Sequence, residues 1–159
     1  MNLKSFILFI LSCSLIACSQ NNNPLSETEK QKISSEIIEM FNDYHEAIKT
    51  EGLVAEFDYL DDSSDFYWVP PGYNSALTID SVKTILTQNS KFIKSIEFSF
   101  ESIEIFPLKN TIANYSGIVK GTMIDTSNAN TTFRIIESGT LIKRKAGWKL
   151  LSGQSRNLE

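Results

Sequence analysis

The chain has 159 residues, of which 42% are hydrophobic and 21% charged, with 15 lysines and arginines against 19 aspartates and glutamates. That is one domain's worth of chain, since domains usually run to about 100–150 residues, and it is too hydrophobic to be disordered. A net charge of −4 has the wrong sign for a nucleic-acid binder, which carries a basic excess to neutralise phosphates. Lys4 then precedes an almost unbroken apolar run from Phe6 to Ile16. Crossing a bilayer takes about 20 such residues, so the run is too short to span. A short positive segment followed by about 7–15 apolar residues is the pattern of a secretory signal.

The run ends in Leu15-Ile16-Ala17-Cys18, which resembles the lipobox of bacterial lipoproteins. The resemblance implies cleavage before Cys18 and acylation of that cysteine with diacylglycerol and, usually, a further fatty acid such as palmitate. One acyl chain holds a membrane only marginally, whereas two or three anchor stably. The expected organisation is a signal peptide over residues 1–17, a lipidated Cys18 with a flexible tether to residue 25, and one domain over residues 26–159. The expected location is the bacterial cell envelope, lipid-anchored and facing the periplasm or the cell surface. Cys13 falls in the cleaved segment, so the folded part holds no thiol for a disulfide, a metal or nucleophilic catalysis.

Ser26-Glu27-Thr28-Glu29 matches a capping box. The spacing of Ile33, Ile37, Met40, Phe41, Tyr44 and Ile48 predicts one face of a long helix, stopped by Gly52. A second, short helix is predicted over 53–60, with Leu53, Phe57 and Leu60 inward. Residues 65–69 read as a short strand, ended by Pro70-Pro71-Gly72. Thr78 or Asp80 caps a third helix carrying Ile79, Val82, Ile85 and Leu86.

From Ile93 the period becomes two. Ile96, Phe98 and Phe100 alternate with polar residues, then Ile103 and Ile105 continue one register out, as a β-bulge would produce. A long strand follows over 111–124, with Ala113, Tyr115, Val119 and Met123 sharing a face with Gly117 and Gly121. Strands over 131–145 and 148–156, joined at Ala146-Gly147, complete four consecutive antiparallel strands. Helices first and strands last argue an α+β fold, with a sheet curled over the helices.

This order resembles the nuclear transport factor 2-like, or SnoaL-like, superfamily. The carriers are the first helix ending in Lys49-Thr50-Glu51-Gly52, the Phe57…Asp61-Asp62 approach, the Val69-Pro70-Pro71-Gly72 loop and the closing hairpin with Gly147-Trp148-Lys149-Leu150. The resemblance implies a cone-like curved antiparallel sheet around N-terminal helices, an apolar pocket inside, and a homodimer formed through the outer sheet face. It also implies a comparison with ketosteroid isomerase, whose site joins an Asp base to a Tyr and a protonated Asp. Tyr44 matches the tyrosine, but the base would fall near Trp68-Val69 and the second Asp near Ser138-Gly139, so the isomerase chemistry is not expected. Dehydratase-like and cyclase members use Asp/His or Tyr/Asp pairs, and the histidine many members carry near the end of the last strand is matched here by Gln154.

The pocket candidates are therefore Tyr44, Trp68, Glu137 and Gln154. Glu137 shares a strand face with Phe133, Ile135 and Leu141, yet the opposite face, with Ile136 and Ile142, is almost as apolar, so the inward side stays open. His45 sits at the margin of the helix stripe and reads as a half-exposed helix residue. Asp58, Asp61, Asp62 and Asp65 lack the Gly and Glu that a calcium loop requires and read as a solvated turn. Lys143, Arg144, Lys145 and Lys149 read as guards of an exposed sheet edge. No metal or cofactor is expected. The leading expectation is a membrane-anchored domain that binds a small apolar ligand or a protein partner; the alternative is a small-molecule lyase or isomerase using a pocket carboxylate.

Overall fold

The computed structural model describes residues 24–158. The signal segment, Cys18 and the start of the tether lie outside the described residues. Helix α1 covers Glu27–Glu51. Its capping box forms on both sides: the Glu29 backbone N–H donates to the Ser26 hydroxyl at 3.3 Å, and the Ser26 backbone N–H donates to the Glu29 carboxylate at 2.8 Å. Ile33, Ile37, Met40, Phe41 and Ile48 form its buried face. Gly52 ends it, at a φ of +87° that side chains disfavour.

Residues Leu53–Asp58 then form a 3-10 helix rather than an α-helical turn. The difference matters for which side chains point inward. At three residues per turn, positions three apart share a face, so Leu53 is followed inward by Glu56 and Tyr59. An α-helical reading selects Leu53, Phe57 and Leu60 instead. Leu60 is buried, but Phe57 lies half-buried beneath the Lys83 ammonium.

Strand β1 is Tyr67–Val69, and helix α2 is Ile79–Asn89, capped by the Thr78 hydroxyl. Four long strands follow: β2 Ile93–Lys109, β3 Ile112–Asp125, β4 Asn130–Arg144 and β5 Gly147–Asn157. They pair antiparallel in sequence, while β1 joins parallel to β5, giving the order β1-β5-β4-β3-β2 in an open sheet. The slip between Phe100 and Ser102 is a register shift against β3, as the alternation predicts. Further shifts lie near Ile93, near Pro107 and between Thr140 and Leu141. Such bulges bend a sheet, and here the sheet curves over the helices.

The core joins both layers. Ile33, Ile37, Met40 and Phe41 of α1 pack with Ala113, Tyr115, Leu141, Trp148 and Leu150 of the sheet. Two of the hairpin cations are tied to acids outside the sheet. Lys143 pairs with Glu36 of α1 at 2.6 Å, and Arg144 grips Asp61 with two hydrogen bonds of 2.7 and 2.8 Å. Asp61 is only 4% exposed. It is a buried anchor of the hairpin, not part of a solvated turn, and Arg144 holds its carboxyl below the usual range.

Candidate functional site in the cone interior

Register decides which face of β4 looks inward. Gly117, Glu137 and Ser155 lie on one rung, and Tyr115, Gly139 and Gly153 on another rung of the same face. Tyr115 is 2% exposed and belongs to the core, so Glu137 shares the concave face. The Tyr115 hydroxyl donates to Glu137 Oε1 at 3.1 Å. From the helical layer, Tyr44 of α1 and Glu56 of the 3-10 helix complete the group, close enough that each shifts the other's ionisation. Residues far apart in the chain thus form one tetrad of two carboxyls and two phenols.

Burial pushes both Glu56 and Glu137 up to about 7, because a carboxylate enclosed by protein loses its hydration. Tyr115 offsets part of the Glu137 shift by donating to it, and Tyr44 lowers Glu56 in the same sense. The negative field of Glu137 raises Glu56 further. Both phenols are held protonated well above their ordinary range, by burial first and then by the neighbouring acids. Glu137 thus bears on the ionisation of the other three. Tyr44, Glu56 and Glu137 nevertheless keep part of their surface open.

Aromatic rings pack beside the two tyrosines. Phe41 lies 4.9 Å from Tyr115 and 5.1 Å from Phe100 between ring centres, and Tyr44 lies 5.2 Å from Tyr59. The strand glycines seat two rings. A Cβ on Gly117 would stand 2.6 Å from the Phe100 ring, and one on Gly153 would stand 2.4 Å from the Trp68 ring. Phe41 and Phe100 also line a groove of about 380 Å³ between α1 and β2, together with His45, Phe98 and others. Its volume is in the range of small-molecule sites.

No family model matches the sequence, and no curated protein does. Solved structures do match the fold. A Novosphingobium aromaticivorans protein provisionally named a scytalone dehydratase aligns over 84% of this chain and 89% of its own, at 17% identity and a TM-score of 0.74. The chain folds as a nuclear transport factor 2-like domain. Two other similar structures are a Streptomyces avermitilis protein, provisionally a dehydratase of that family, and the hexachlorocyclohexane dehydrochlorinase LinA-type3 of Novosphingobium barchaimii. The first aligns over 82% of this chain and 99% of its own at 11% identity and TM-score 0.69; the second over 84% and 92% at 10% and 0.65.

Within the nuclear transport factor 2-like cone, three of the four residues singled out from sequence lie on the interior side. Tyr44 and Glu137 belong to the tetrad, and Trp68 packs over Gly153, next to the Gly139 rung. Gln154 pairs with Ser138 on a rung with Ser116, one residue out of phase with Glu137, and it is exposed; with Glu137, Val69 and Tyr73 it lines a separate groove of about 430 Å³. His45 is part-exposed on α1, as expected, but its ring faces an aromatic cluster. It sits among Phe41, Phe98 and Phe100, at ring distances of 6.4, 6.1 and 5.1 Å, and burial lowers its imidazole to about 4. Glu56 is the member that sequence reading missed. Its signal was available only to a three-residue period, Leu53-Glu56-Tyr59, in a segment too short to distinguish that period from an α-helical one. Among the described residues no cluster of three metal-ligating side chains occurs.

Proposed function

We propose that the cone interior carries out a proton-transfer elimination on a small molecule, a lyase-type reaction, with Glu56 and Glu137 as its acid–base pair. The observation that carries this reading is the tetrad itself. Its two carboxyls are raised to about 7 on elements facing one interior, and Glu137 accepts a hydrogen bond from Tyr115 at 3.1 Å. Carboxyls tuned toward neutrality by burial are a functional-site signal and suit general acid–base work at neutral pH. The dehydratases and dehydrochlorinase among the similar structures support the reaction class.

The chemistry balances within the pair. Near neutral pH the two carboxyls hold about one proton between them. The ionised carboxylate takes a proton from carbon, and the C–H electron pair becomes the second bond of an alkene. The leaving group departs with its own pair and receives the proton of the other carboxyl. The proton has then moved from one member to the other, while Tyr44 and Tyr115, held protonated, stabilise whichever carboxyl is charged.

A panel of small β-hydroxyketones, with and without an amine substituent, tests this through the absorbance of the conjugated enone product. Replacing either glutamate (Glu56→Gln, Glu137→Gln) should lower the rate by about 10²-fold or more. Turnover unaffected by both substitutions, or no turnover of any member, contradicts the reading. A second reading, a binding domain without turnover, is favoured by the Phe100 and Trp68 rings that occupy the glycine seats inside the cone.

The domain acts, in this proposal, at a membrane surface through acylated Cys18, supported by the apolar run and the Ala17-Cys18 junction. Cys18→Ala should move the protein from the membrane to the soluble fraction on cell fractionation. Retention in the membrane contradicts the anchor.

A further inference from the structure

The end of the sheet that carries the β2–β3 and β4–β5 turns is also the end where α1 begins. Helix α1 runs antiparallel to β2. Near its end Ile48 packs with Ile96 and Lys49 pairs with Glu97 at 2.9 Å, and further back Phe41 meets Phe100 at 5.1 Å between ring centres. Toward its start, Glu36 accepts from Lys143 and the Trp148 indole beside the β4–β5 turn. Leu25, just ahead of the helix, packs on the core cluster that includes Ile103 and Ile105. The β2–β3 turn lies at the same end, because Ile112 pairs with Ile142. This end exposes apolar surface: Phe106 is 46% and Leu108 55% exposed. Lys109 and Lys145, exposed beside the two turns, form no ion pair among the described residues. The acids of the first helical turn are engaged, Glu27 with Lys30 at 2.8 Å and Glu29 in the capping box.

We infer that this end rests on the lipid bilayer, with Phe106 and Leu108 in the headgroup boundary and Lys109 and Lys145 on anionic headgroups. The inference rests on the acylated Cys18 proposed above and adds the face that the domain turns to the membrane. Reach supports it. Seven residues separate Cys18 from Leu25, a span of at most about 25 Å, whereas α1, with its 25 residues, is about 38 Å long. The anchor therefore keeps the start of α1 and the two turns close to lipid. The opposite end, where Phe92 is 66% exposed, stands a helix length further off. Exposed apolar side chains flanked by lysines strengthen a membrane contact that an acyl chain has already made local.

Fluorescence quenching in vesicles tests it. Cys13 precedes the proposed cleavage and Cys18 is acylated in this reading, so a cysteine introduced into the domain takes a thiol-reactive label alone. Asn110→Cys marks the hairpin end. Ala129→Cys marks the far end, in the loop whose Thr126 backbone donates to the Phe92 carbonyl. Each variant is purified acylated from membranes, labelled with bimane and reconstituted in vesicles of phosphatidylethanolamine and phosphatidylglycerol. With a doxyl quencher near the headgroups, the label at residue 110 should lose about half its emission or more, because interfacial side chains sit about 5–10 Å into that boundary. The label at residue 129 should lose about a tenth or less. Adding Phe106→Ser and Leu108→Ser to the Asn110→Cys chain should cut the quenching about 3-fold or more. Both side chains are exposed, so circular dichroism should show the fold unchanged.

Equal quenching at the two positions, a label at residue 110 that stays bright, or quenching that the serine substitutions leave unchanged overturns the inference. Each of those results leaves the anchor standing, since the protein is then in the vesicles. A chain without acyl groups on Cys18 that stays free of the vesicles removes the anchor itself, and the orientation falls with it.

Discussion

Glu56 and Glu137 make stability depend on pH in the opposite sense to most carboxylates. Their folded values are raised to about 7, so between the ordinary carboxylate range and about 7 the native state binds protons that the unfolded chain does not. Stability then falls as pH rises through that window. His45 acts the other way: its value is lowered to about 4, so it contributes stability above the ordinary imidazole range that is lost as pH falls. The two effects oppose each other below about pH 6.5, the unfolded histidine value, and the glutamates act alone above it. Chemical denaturation should therefore show the domain gaining about 1 kcal/mol as pH falls from 7.5 to 6.5. Glu56→Gln/Glu137→Gln should flatten that slope, and a wild-type stability that rises with pH over the same interval contradicts the assignment.

At the scale of elements, the glycines of β3 and β5 do more than let the sheet bend. Gly117 and Gly153 admit the rings of Phe100 and Trp68 against bare backbone, at approaches no side chain would permit. Gly153→Ala would also push its Cβ to 2.5 Å from the Ser138 carbonyl oxygen, which is backbone and cannot swing aside. It should cost about 1–3 kcal/mol in a denaturant titration; an unchanged midpoint would show that the ring has room to move. The strands themselves were legible because a slip in alternation at Phe100–Ser102 has one physical cause, an extra residue. Helix α1 was legible because its stripe repeats for many turns between a capping box and a glycine. The 3-10 helix was not, since a six-residue segment offers two turns and both periods fit its apolar residues. Nor was the inward face of β4, where Ile136 and Ile135 alternate with equal hydrophobicity; only pairing with Tyr115 and Gly117 on β3 orients Glu137.

Across the whole molecule, the curved sheet and the helical layer bring Tyr44, Glu56, Tyr115 and Glu137 into one interior. The parallel pairing of β1 with the end of β5 puts Trp68 over Gly153 beside them. Such long-range pairing leaves no mark in a local pattern, which is why the sequence alone does not place Gln154 one position out of phase with Glu137. The cone that similar structures share fixes the frame, but function belongs to the groups placed in it. That placement is measurable directly, by following the side-chain carboxyl carbons of Glu56 and Glu137 by nuclear magnetic resonance as pH is raised from 3 to 9. The account predicts that both titrate near 7, and that Glu137→Gln moves the Glu56 midpoint downward by removing the neighbouring charge. Two midpoints in the ordinary glutamate range, each indifferent to the other's substitution, would contradict it.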